Sequence, residues 1–141
     1  MKNTIMGLLI MMAATLSAQK NAVSLIPQPV DMQVLTGSWT LTGSAVISYN
    51  KTEGRYVAEM LAQKINPPTG FKLSVKQGTM GAIQLNLNAT ADPKLGKEGY
   101  MLTSSSKGVV IKANEPAGLF YGMQTVLQLF PKEIESKSVV K

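Results

Sequence analysis

Along most of this chain the apolar residues recur at every second position, and the period changes to three and four in only two places. Val30, Met32 and Val34 alternate with Asp31 and Gln33, and Trp39 and Leu41 with Thr40 and Thr42. Ala45 to Tyr49 is β-branched and aromatic. Phe71, Leu73 and Val75, then Ile83, Leu85 and Leu87, then Tyr100 and Leu102 with Val109 and Ile111 across a turn at Ser104 to Gly108, continue the pattern. A period of two puts successive side chains on opposite faces of a strand, so each segment predicts a strand with one face in a core. The first exception starts at Thr52. Tyr56, Val57, Met60, Leu61 and Ile65 follow helical spacing, which predicts a helix over Glu53–Ile65 with Thr52 as its N-cap. Asn66-Pro67-Pro68-Thr69-Gly70 is expected to stop it. The second exception runs from Glu115 to Phe130, with Asn114 as N-cap, Pro116 in the first turn and Pro131 as terminator. Phe120, Met123, Leu127 and Phe130 form its apolar stripe. The order is therefore β-β-β-α-β-β-β-β-α. Strict alternation suits strands covered on one side, so the expected fold is α+β: a mostly antiparallel sheet of about six to seven strands, with two helices packed on one face.

Residues 1–18 stand apart from this pattern. Lys2 supplies a positive charge, Ile5 to Leu16 is an uncharged apolar run, and Ser17-Ala18 are small. That layout is a secretory signal peptide, and a buried N-terminal helix is the alternative. The apolar run falls short of the about 20 residues a membrane span requires. Cleavage after Ala18 leaves a mature chain of about 120 residues, enough for one domain with a modest core. The expected organisation is a signal peptide over 1–18, one α+β domain over 19–131 and a flexible tail over 132–141. The location is exported, periplasmic or extracellular, with no membrane span in the mature chain. Net charge is +6, but the lysines are scattered and Arg55 is the only arginine. Nucleic-acid binders cluster their charge and use arginine for bidentate contacts, so no nucleic-acid partner is expected.

The chain has no Cys and no His. Disulfides, thiol nucleophiles, thiolate metal sites and His-based catalytic pairs are thereby excluded. The carboxylates are Asp31, Glu53, Glu59, Asp92, Glu98, Glu115, Glu133 and Glu135, and no two are adjacent in sequence. No catalytic, cofactor-binding or metal-binding residue is assigned, and no cofactor is expected. Trp39 could offer a sugar its ring face, but a lone Trp in an alternating segment favours the core. Asn86 and Asn88 share a strand face and could bond sugar hydroxyls, although exposed polar strand residues need no such role. Asn88-Ala89-Thr90 has the pattern of a glycosylation sequon, for which chance is the better account. Gly78-Thr79-Met80-Gly81 lacks the spacing and the following helix of a phosphate cradle, and reads as a hairpin turn.

Three motifs together resemble a known family. Leu25-Ile26-Pro27-Gln28-Pro29-Val30 is similar to an "IPxP" opening, Glu98-Gly99-Tyr100-Met101-Leu102 to an "E-x-Y-x-L" strand paired with Gly108 to Ile111, and Ala113 to Thr125 to an "A-x-x-x-x-G-x-F-Y-G-x-Q-T-L" signature. Val126 departs mildly from that signature, standing where the family often has Leu. The resemblance is to the N-terminal, non-catalytic domain of bacterial β-N-acetylhexosaminidases of glycoside hydrolase family 20, and it covers Val23 to Pro131. It implies a sheet with two helices on one side, packed against a (β/α)₈ catalytic barrel as partner. The parent enzyme would remove terminal N-acetylhexosamine from glycans. An adjacent Asp-Glu pair in the barrel does the chemistry: Glu is the general acid, and Asp positions the substrate's own 2-acetamido group as nucleophile. No adjacent Asp-Glu exists here, so neither role transfers. The resemblance implies a scaffold whose route into the barrel begins shortly after Pro131. A free-standing glycan- or protein-binding module is the alternative, and self-association through an apolar patch where a barrel would dock is a third.

Overall fold

The computed structural model describes residues 23–135. The expected signal peptide and the far end of the expected tail lie outside the described residues. Five strands form: β1 (Val46–Tyr49), β2 (Ser74–Gln77), β3 (Ile83–Leu87), β4 (Tyr100–Ser105) and β5 (Gly108–Ala113). Two α-helices accompany them, α1 (Arg55–Thr69) and α2 (Pro116–Leu129). The sheet order is β2-β1-β3-β5-β4. β1 pairs parallel with both β2 and β3, and β3 pairs parallel with β5. Only the β4–β5 hairpin is antiparallel, with Leu102 opposite Ile111.

The class is α+β, but the sheet is mixed and five-stranded, which corrects the expected antiparallel sheet of about six to seven strands. The reason is one-sided burial. Parallel sheets usually carry helices on both faces and lose their alternation. Here α1 packs on β1 and β2, α2 packs on β3, β4 and β5, and the helices touch each other. Both therefore share one face, and the strands keep an alternation that does not distinguish neighbour direction. Ile47, Ile83, Leu85, Ile111, Leu61, Ile65, Leu119 and Met123 fill the layer between sheet and helices.

The two expected strands before Ala45 are absent. Val30, Met32 and Val34 are exposed, and no backbone ladder bond involves residues 30–41 among the described residues. A period of two describes alternating side chains, whereas a strand also requires an edge to take its N–H and C=O groups. Trp39 and Leu41 are partly buried and pack against the core without a ladder. The expected hairpin turn at Gly78 to Gly81 is instead a crossover. β2 and β3 do not pair with each other, because β1 lies between them. Residues 78–82 run back along β1 from Tyr49 to Val46: Gly78 N–H donates to Tyr49 O at 2.9 Å and Ala82 N–H to Val46 O at 2.8 Å. A Cβ on Gly81 would stand 2.8 Å from Ser48 N, so only glycine lets the crossing chain lie this close. Ser48 is buried beneath it.

Helix boundaries moved for identifiable reasons. α1 continues through Pro67 and Pro68 to Thr69. Each proline forfeits a donor and crowds the carbonyl four residues before it, which weakens this last turn. Local bonds offset the loss. Thr69 Oγ1 donates to Ile65 O at 2.6 Å, Asn66 pairs with both backbone groups of Leu73, and Gly70 follows in the left-handed conformation. Thr52 is not an N-cap: it lies in a 3₁₀ turn, Thr52–Gly54, and no side chain caps either this turn or α1. At α2 the N-cap is Glu115, not Asn114, again without a side-chain bond, and Pro116 opens the helix. Beyond Pro131, Lys132–Glu135 forms a second 3₁₀ turn, and Ile134 packs against the core. Among the described residues no helix is long and apolar enough to cross a membrane.

Candidate functional site

The Ala113 to Thr125 signature is resolved by the structure into packing contacts. Gly118 and Gly122 stand one helical turn apart on the face of α2 that meets β4 and β5. A Cβ on Gly118 would lie 2.4 Å from Gly99 O and 2.8 Å from Ala113 Cβ. A Cβ on Gly122 would lie 2.5 Å from Ile111 Cγ2 and 3.2 Å from the Tyr100 ring. These two glycines set how closely the helix approaches the hairpin. Leu119 and Met123, between and beyond them, are fully buried. The last signature hydroxyl, Thr125 Oγ1, bonds the hydroxyl of Tyr100 on β4. The Glu98 to Leu102 motif and the α2 motif are thus two halves of one contact.

That hydroxyl pair has a measurable worth. Tyr100→Phe is expected to lower stability by about 1 kcal/mol, the usual net value of one hydrogen bond. In a urea-melt double-mutant cycle with Thr125→Val, the coupling should be of similar size. Simple additivity would show that the bond contributes nothing. Thr125 also reaches Tyr121 O at 3.4 Å, which limits the loss.

Asn114 anchors the loop between β3 and β4. Its Oδ1 accepts from Asn88 Nδ2 and Asp92 N, and its Nδ2 donates to Asp92 O and Gly96 O. This accounts for its failure to cap α2. It also places Asn88, a sequon residue and candidate sugar contact, in an internal bond. Asn86 is half-buried, with its Oδ1 buried and unpaired. Trp39, the other candidate contact, is partly buried and packs against the core.

The described carboxylates are not assembled into a site. Glu59 takes the Arg55 guanidinium at 2.7 Å on the exposed face of α1. Its hydrogen bond and charge hold the Arg55 pKa above the ordinary arginine value. Asp92 Oδ1 accepts from Lys94 N in its own loop. No group of three His, Cys, Asp or Glu that could hold a metal occurs among the described residues. A concavity of about 150 Å³ is lined by Lys64, Ile65, Pro68, Leu127, Phe130 and Ile134. It lies below the roughly 300 Å³ at which ligand pockets begin and carries no carboxylate.

Comparison with known proteins agrees with this reading of the motifs. The family described as glycosyl hydrolase family 20, domain 2, matches residues 22–140. A beta-hexosaminidase of Porphyromonas gingivalis is 35% identical over 121 residues, 84% of this chain and 15% of that protein. A lacto-N-biosidase of Bifidobacterium bifidum is 33% identical over 97 residues, 67% of this chain and 8% of its own length. This chain therefore spans a small fraction of either relative. Among solved structures, Streptomyces plicatus N-acetyl-beta-hexosaminidase in complex with Thio-NAglucal superposes with a TM-score of 0.61 at 40% identity, over 67% of this chain and 19% of that one. From the Ile26–Pro29 motif through the β4–β5 hairpin to the α2 signature, the match takes in the whole described domain, and the chain belongs to the family of glycosyl hydrolase family 20, domain 2.

Proposed function

We propose that these residues are the non-catalytic scaffold domain of an exported β-N-acetylhexosaminidase. The observation that carries this is the use of the family signature. Gly118, Leu119, Gly122, Met123 and Thr125 are spent on joining α2 to the sheet. The parent enzyme would release terminal N-acetylhexosamine by substrate-assisted hydrolysis in a catalytic barrel, which this domain would buttress. Support comes from the hexosaminidase relatives, of which this chain matches a minor part. The layout of residues 1–18 supports export. The 141-residue chain, incubated with a chromogenic N-acetylglucosaminide, is expected to give no turnover above a buffer blank. Robust turnover abolished by no active-site contaminant control would overturn the scaffold assignment.

A further inference from the structure

The segment before Thr42 is held to the domain in an unusual way. Among the described residues, the hydrogen bonds joining residues 23–41 to the remainder of the domain both fall on Ile26. Gln128, on the last turn of α2, accepts from Ile26 N through Oε1 at 2.9 Å and donates through Nε2 to Ile26 O at 2.9 Å. One side-chain amide therefore grips both polar groups of one residue, as a neighbouring strand would. The sequence explains why the grip falls there. Pro27 and Pro29 have no N–H to offer, so Ile26 is the last position before them with both groups free. The far end of the segment is held by apolar contact, through Trp39 and Leu41. Between these points Val30 and Leu35 are exposed, and Met32 and Val34 largely so.

We infer that Gln128 is a latch: a positioning residue that fastens an N-terminal strap, residues 23–38, beside the point where the chain leaves α2. Gln128 is two residues before Phe130, where the helix ends. The latch thus holds the start and the end of the domain within about one helical turn of each other. The exposed Ile26 is thereby held at the end of α2 that carries the exposed Leu129. This inference does not rest on the proposed enzymatic role.

The test is NMR on the 141-residue chain. Gln128 is exposed, so its substitution leaves the core intact. In Gln128→Ala the Ile26 amide should exchange with solvent about fivefold faster, the loss expected for two water-exposed hydrogen bonds. Backbone order parameters over residues 23–35 should fall toward the flexible range, below about 0.6, while Thr42 to Tyr49 keep theirs. Gln128→Glu separates the two bonds. Its carboxylate accepts from Ile26 N but cannot donate to Ile26 O, so the strap should be intermediate near neutral pH. Protonation of that carboxyl below pH of about 4 restores a donor and should recover the ordering. Unchanged order parameters in Gln128→Ala would overturn the inference. So would equal loosening of strap and core, or a Gln128→Glu variant indifferent to pH.

Discussion

Gly118→Ala is expected to destabilise the domain by about 2–4 kcal/mol, a large effect for one added methyl group. The methyl carbon would enter a space already occupied by Gly99 O at 2.4 Å and Ala113 Cβ at 2.8 Å. Neither is the far end of a flexible side chain: one is backbone, and the other is fixed to β5. Relief requires α2 to move away from the hairpin, which loosens Leu119 and Met123 together. Chemical denaturation of Gly118→Ala against Ala117→Ser gives the contrast. Ala117 is exposed one position earlier on the same helix, so its substitution should stay within about 0.5 kcal/mol. Equal effects at the two positions would show that the glycine contact is slack.

Leu119→Ala is expected to cost about 3–4 kcal/mol, from lost burial plus the cavity left behind. Leu119 is wholly buried, and its Cδ1 would lie 3.2 Å from a Cβ built on Gly54, ahead of α1. That proximity makes the two positions interdependent. Gly54→Ala alone forces a crowded contact, whereas in the Leu119→Ala background the new methyl enters vacated space. The double variant should therefore be more stable than the sum of the single effects, by about 0.5–1 kcal/mol. Strict additivity would mean that Leu119 has shifted away from Gly54 in solution.

Much of the architecture was readable from residue periods. The core-facing residues of β3 and β5 and the span of α2 follow from spacing, as do Val57, Leu61 and Ile65 of the α1 stripe, whereas Tyr56 of that stripe is exposed. Ile83, Leu85 and Leu87 are buried as their alternation predicts. Pro116 at the start of α2 does what a proline does in a first turn. The signature of α2 was legible as a resemblance, but not as a set of contacts. Gly118 is silent in sequence until Gly99 O is known to lie against it. Asn114 shows the opposite failure. Its type and position suit a cap, yet four bonds to the 88–96 loop claim its side chain. Gln128 gave no signal at all, because its partner is 102 residues away.

The sequence by itself determined that Ile83, Leu85, Leu87, Val109 and Ile111 face the core, and where the two helices run to within a few residues. These are properties of residue type and of spacing within about ten residues, and local geometry converts them directly into strand and helix faces. Only the tertiary structure decided which strands are neighbours, in which direction they run, and which period-two segments find an edge. β1 between β2 and β3, the 78–82 crossover above Ser48 and the unpaired 30–34 segment all belong to that second group. Strand pairing is a choice among distant backbones that expose the same N–H and C=O groups whatever their side chains. The alternation that marks a strand is the same for a parallel neighbour, an antiparallel one, or none.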